Sequence, residues 1–196
     1  AQCRTCNDRI EPANLGGQKD RLMRLRDALP GEIATKRLRL RQPVLTDLDA
    51  LVEGVNNWKV VEPTASLPFP YLPEHGIGFI ERFAKNPEQR PYAIARADDD
   101  RLIGIVGLKF SDGNPPELGY WVAESQWGQG FAPEAVGGLL AAARQTGIEA
   151  IRARVLASNP ASQRVLEKSG FAVIEHTESV VERHSGKPLL VLEWRG

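Results

Sequence analysis

Leucines at positions 38 and 40 alternate with arginines at 37, 39 and 41, the two-residue period of a strand with one buried face. A helix over 47–57 follows, with Thr46 as its expected cap and acidic residues in its first turn. Prolines at 63, 68, 70 and 73, with Trp58, Phe69 and Tyr71 interleaved, then predict a loop. Beyond a helix over 74–85, two strands at 92–96 and 102–110 meet over Asp98-Asp99-Asp100, and a third strand runs over 117–123. The loop Trp127–Phe131 leads into a helix over 132–145 and a strand over 151–156. Asn159-Pro160 opens the next helix, because Asn caps well and Pro favours the first helical position, and Gly170 closes it. Strands over 172–181 and 188–194 meet near Ser185-Gly186. The order β-α-α-β-β-β-α-β-α-β-β predicts an α/β (α+β) fold, a mixed and mostly antiparallel central sheet flanked by helices, in one domain over 36–196. Residues 1–35, polar apart from a short helix over 19–29 that stops at Pro30-Gly31, read as an N-terminal extension.

Composition narrows the function. The chain has 196 residues, 42% hydrophobic and 26% charged, enough for one sizeable core. With 25 basic and 25 acidic residues there is no overall field to hold nucleic acid. No apolar run approaches the roughly 18 residues of a membrane span, and the N-terminus lacks the apolar core of a signal peptide. A cytoplasmic protein with small-molecule or peptide partners is expected, and a homodimer is left open. Both cysteines sit together as Cys3-Arg-Thr-Cys6, without a second pair, and His75, His176 and His184 are scattered, so no metal is expected.

The stretch Trp127-Gly-Gln-Gly-Phe-Ala carries the chemistry. A helix N-terminus presents unpaired amides and partial positive charge, and Gly128 and Gly130, with the small Ala132, would let a phosphate approach them. A tight strand-to-helix turn would use the same residues. Other phosphate motifs fit less well. A dinucleotide fold wants a small residue where Pro133 stands and an acid where the next strand ends in Val155-Leu156-Ala157. Ser185-Gly186-Lys187-Pro188 lies in a hairpin and is no nucleotide-triphosphate loop.

Together, Glu117-Leu-Gly-Tyr-Trp, Trp127-Gly-Gln-Gly-Phe-Ala and Asn159-Pro-Ala-Ser162 through Leu166-Glu-Lys-Ser-Gly-Phe171 resemble the GNAT superfamily of acetyl-CoA-dependent N-acetyltransferases. Within it they look like the branch containing the ribosomal-protein N-terminal acetyltransferases. The resemblance spans about 36–194. It implies a GNAT-like acyltransferase fold, acetyl-CoA as co-substrate without a metal, and direct transfer to an amine, such as a protein or peptide N-terminal α-amine or a polyamine or aminoglycoside-like small molecule. A non-catalytic acyl-CoA-binding module is the alternative. The resemblance also implies that Gly128, Gln129, Gly130, Phe131 and Ala132 hold the CoA pyrophosphate, that the strand bearing Trp121, Val122 and Ala123 pairs with pantetheine, and that Asn159 and Ser162 complete the donor site. Trp127 replaces the Gln or Arg frequent in the superfamily and is expected to pack under the loop.

Many relatives place a Tyr where this chain has Leu166, so Ser162 is the remaining candidate for protonating the leaving sulfur; its alternative use is to assist the helix cap. Glu117 is the candidate general base, sharing a strand face with Gly119 and Trp121, or else an exposed carboxylate after Pro115-Pro116. Tyr120 points to the other face and is expected to pack. Trp58, Phe69 and Tyr71 would line the acceptor groove, or pack on their own domain.

Overall fold

The computed structural model describes residues 15–111 and 113–196. Cys3 and Cys6 lie outside the described residues. The strands are β1 (Ile33–Ala34), β2 (Leu38–Arg41), β3 (Gln89–Arg96), β4 (Leu102–Lys109), β5 (Glu117–Val122), β6 (Ala150–Leu156), β7 (Ala172–Glu178) and β8 (Pro188–Arg195). They form one sheet in the order β1-β2-β3-β4-β5-β6-β8-β7, antiparallel everywhere except between β5 and β6. The helices are α1 (Leu15–Ala28), α2 (Leu48–Val55), α3 (Trp58–Val61), α4 (Pro73–Gly78), α5 (Phe131–Gln145) and α6 (Pro160–Lys168). Among the described residues no helix is long and apolar enough to cross a membrane.

Strand alternation divides the core between the two faces of the sheet. Leu38, Leu40, Tyr92, Ile94, Val106 and Leu118 pack against Ala135, Val136, Leu139 and Ala143 of α5 and Leu166 of α6. On the opposite face, Ala93 and Ile105 pack against Leu51 and Val55 of α2, with Val61 and Tyr71. Leu22 and Leu29 are buried in the α5 cluster, and β1 lies in the sheet. Part of the segment expected as an extension thus packs on the same core as the sheet.

Local departures from the sequence reading have identifiable causes. Thr46 does not cap α2. The chain enters through a 3-10 turn at Leu45–Asp47, and the buried Asp47 carboxylate accepts a 2.9 Å bond from the Val44 amide. The same carboxylate takes both ends of the Arg41 guanidinium at 2.8 Å, and these bonds raise the guanidinium's pKa above its usual value. The expected loop over 58–73 contains α3, because Asn57 Oδ1 accepts from the Lys59 amide as an N-cap. The helix expected over 74–85 is α4 followed by a π-helical turn, Phe79–Phe83. The last hairpin is interrupted by a 3-10 turn at Glu182–His184.

Candidate functional site

The site begins where β5 loses a neighbour. β5 pairs with β4 from Glu117 to Val122, but its parallel ladder to β6 covers only Glu117 with Arg152 and Leu118 with Ala153. The Ala123 amide donates to the Ile103 carbonyl at 2.9 Å, so the antiparallel alternation turns the backbone groups of Tyr120 and Val122 toward the unpaired side. Those of Trp121 and Ala123 face β4. Trp127 does more than pack: half exposed, it donates its indole N–H to the Val122 carbonyl at 2.7 Å and ties the following turn to the strand.

That turn is built from main chain. Gly128 and Gly130 have φ of 76° and 81°, the left-handed region that costs other residues strain, and Gly130 is the N-cap of α5. A Cβ on Gly128 would meet nothing within 4 Å, so the turn opens outward. Among the described residues the amides of Gly128, Gln129, Gly130, Phe131 and Ala132 have no protein acceptor. Such consecutive donors at the positive end of a 15-residue helix suit a diphosphate, so the residues present fit CoA.

Sequence reasoning missed the brace beneath this turn. Glu134, in the first turn of α5, accepts from Thr35 Oγ1, the Arg37 amide and Arg37 Nε, each at 2.7 Å. Arg37 Nη1 donates to the Gln129 carbonyl at 3.0 Å, and its guanidinium lies 4.5 Å from the Phe131 ring centre. Burial opposes ionisation of Glu134, but the bonds from Thr35 and Arg37 outweigh it and hold the carboxyl below its usual range. A lowered folded-state pKa stabilises the fold fully above the ordinary carboxylate range, and the contribution is lost as pH falls through the lowered value. In thermal unfolding across acid pH, Glu134→Gln is expected to be less stable than wild type near neutrality and to lose less stability on acidification.

On α6, Asn159 Oδ1 accepts from the Ser162 amide at 3.1 Å, which confirms the expected cap. The Ser162 hydroxyl takes no part in it; Oγ lies 2.8 Å from the Tyr120 phenol. Burial pushes that phenol's pKa up to about 12, with Ser162 partly offsetting it. Leu166, one helical turn after Ser162, is buried in the core.

Glu117 lies on the opposite face of β5. Its Oε2 accepts from Arg154 at 2.7 Å, and Lys109 and Arg152 stand directly across from it on the neighbouring strands. Trp58 and Phe69 are exposed and meet edge-on with ring centres 5.4 Å apart. Tyr71 does not join them. It is 3% exposed, and burial pushes its phenol's pKa up to about 12. The segment carrying these aromatics is stitched to the β7–β8 connection. Arg183 donates to the carbonyls of Val61, Thr64 and Leu67 at 3.0, 3.3 and 2.6 Å, and buried His184 donates from Nε2 to that of Glu62 at 2.6 Å. A cavity of about 400 Å³ lies between α2, the start of β4 and the residues that follow β5 as far as Gln126, just before the amide turn; its Glu53 is paired with Arg101 and its Glu124 with Lys59.

The unpaired half of β5, the outward amide turn and the capped α6 define an acyl-CoA-dependent transferase. The sequence profile of the acetyltransferase (GNAT) domain matches residues 37–172. The chain belongs to the GNAT family and is an N-acetyltransferase with acetyl-CoA as its acetyl donor. The uncharacterized N-acetyltransferase YoaA of Bacillus subtilis (strain 168) is 29% identical over 145 residues, 71% of this chain and 81% of its own. Among solved structures, the microcin C7 self-immunity acetyltransferase MccE, in complex with acetyl-CoA and AMP, superposes with a TM-score of 0.73 at 16% identity over 87% of this chain and 99% of its own. The ribosomal-protein-S5-alanine acetyltransferase of Vibrio fischeri gives 0.71 at 14% over 84% and 96%. At these identities the likeness is one of fold.

Proposed function

We propose that the protein acetylates the N-terminal α-amine of a peptide or protein, with Glu117 as the base that receives the amine's proton and Ser162 as the hydroxyl facing the leaving sulfur. The donor supplies an acetyl thioester. Gly128 to Ala132 hold its diphosphate through their amides, the free edge of β5 at Tyr120 and Val122 receives its pantetheine arm beside Trp121 and Ala123, and Asn159 fixes the α6 end of the site. Trp58 and Phe69 form the acceptor wall. Arg154 occupies Oε2 of Glu117, which leaves Oε1 to take a proton directly or through water.

The observation that carries this reading is the charge around Glu117. Lys109, Arg152 and Arg154 share its sheet face. A polyamine or aminoglycoside-like acceptor would bring several ammonium groups against them. An α-amine, with a pKa of about 7.7 to 8.0, costs only about 1 kcal/mol to deprotonate at pH 7, whereas an alkylammonium near 10.4 costs about 4 to 5 kcal/mol. An α-amine therefore suits a face whose cations outnumber its carboxylates, Glu193 being taken up by Arg152 and Arg195 and Glu117 keeping one oxygen free. The activity named for the Vibrio fischeri neighbour agrees with it.

CoA release measured over a panel of amines is the test. Peptides with free α-amines are expected to outpace N-blocked lysyl peptides and spermidine by about tenfold or more in kcat/KM. Preference for spermidine would overturn the acceptor class. Glu117→Gln is expected to lower kcat by about 100-fold with acetyl-CoA affinity unchanged. A variant as fast as wild type at saturating amine would remove Glu117 from the mechanism.

A further inference from the structure

Tyr120 and Ser162 reach each other from β5 and α6, on the side where β5 has lost its β6 partner, with their oxygens 2.8 Å apart. We propose that Tyr120 is a positioning residue: its phenol donates to Ser162 Oγ and so directs the serine's own proton into the gap, toward the sulfur anion that leaves there. The inference rests on the role given to Ser162 above and adds the group that orients it.

Three observations converge on this arrangement. The cap of α6 is made by Asn159, so the Ser162 hydroxyl is not consumed locally. Next, the phenol oxygen lies 2.8 Å from Ser162 Oγ and 3.5 Å from the Ser162 carbonyl, two acceptor atoms of one residue. Were the phenol to accept from Oγ, its own proton would have only the distant carbonyl, at the limit of useful geometry. Donation to Oγ satisfies the phenol and leaves the serine proton unspent, since among the described residues Tyr120 is the hydroxyl's one partner. Lastly, the phenol keeps its proton through neutral and mildly alkaline pH, because burial has moved its titration up to about 12. The phenol therefore still has a proton to donate wherever a thiol of pKa near about 8.5 would ionise. Neither hydroxyl surrenders its proton. The pair stabilises negative charge by hydrogen bonding alone, which is favourable because a bond to an ionised acceptor is stronger than one to a neutral group.

The decisive measurement is the thiol titration of CoA bound to the full chain, followed by thiolate absorbance, in wild type, Tyr120→Phe and Ser162→Ala. In wild type the bound thiol is expected to titrate about one pH unit below the free value, and in each variant to return toward it. In turnover, Tyr120→Phe and Ser162→Ala should each lower kcat by about tenfold with both KM values within about twofold, and the double variant should be no slower than the slower single one. An unshifted thiol in wild type overturns the proposal. So does a Tyr120→Phe protein that keeps the wild-type thiol pKa, even with reduced kcat, because that would mark the phenol as a packing group. A wild-type chain with the shifted, Tyr120-dependent thiol but no activity on α-amines would support this pair while sinking the acceptor assignment.

Discussion

Replacing Gly128 by Asp is expected to raise the dissociation constant for acetyl-CoA by about 100-fold or more while the protein stays folded. The position has φ of 76° and open space beyond it, so the new side chain meets no protein atom within 4 Å of its Cβ. Asp and Asn tolerate the left-handed region better than other non-glycine residues, which limits the strain to about 1 kcal/mol. The damage falls on binding. A carboxylate beside five unpaired amides competes with the diphosphate for them and repels it, and each hydrogen bond lost to a charged group is worth about 1.5 to 3 kcal/mol. The isosteric Gly128→Asn separates bulk from charge and should weaken binding by only about tenfold, a loss of about 1.4 kcal/mol. Calorimetric titration gives the affinities and thermal unfolding the integrity of the fold. Unchanged affinity in the Asp variant would mean that the diphosphate is not held at this turn.

Asp47→Ala should produce the largest loss of stability, about 3 kcal/mol or more in urea unfolding. Asp47 is 5% exposed and accepts three bonds, two from Arg41 and one from the Val44 amide. Arg41 also donates to the Asp100 side chain at 3.0 Å and to its carbonyl at 3.1 Å, and Asp100 adopts φ of 56° in the β3–β4 turn. One guanidinium thus links β2, the entry to α2 and a hairpin turn. Without Asp47 a mostly buried cation loses its bidentate partner, and the entry to α2 loses its carboxylate bond. Asp47→Asn keeps one acceptor oxygen and should cost less than the alanine. Equal stability of Asp47→Ala and wild type would show that the network contributes nothing net.

Much of the frame was legible because it is written in local spacing. The leucines of β2 alternate, Asn159-Pro160 announces α6, and two glycines flank Gln129 at the mouth of α5. The groups that join the frame into a site are far apart in sequence. Thr35 and Arg37 reach Glu134 across nearly 100 positions, and Tyr120 meets Ser162 across 42. Strand alternation put Tyr120 on the face opposite Glu117, but its partner depended on where β6 and α6 lie, which no local period encodes. The shortness of the β5–β6 ladder was hidden for the same reason. Tyr71 shows the limit from the other side: in a proline-rich stretch without a period, nothing distinguishes an aromatic that enters the core from Trp58 and Phe69, which stay at the surface.

Arg183 and His184 grip four main-chain oxygens of the 61–67 segment, so the aromatic wall and the β7–β8 connection form one mechanical unit. Grafting in a 58–72 segment with a different backbone path would break that grip unless 182–187 were exchanged with it. Any change of acceptor size must therefore be inherited by both segments together.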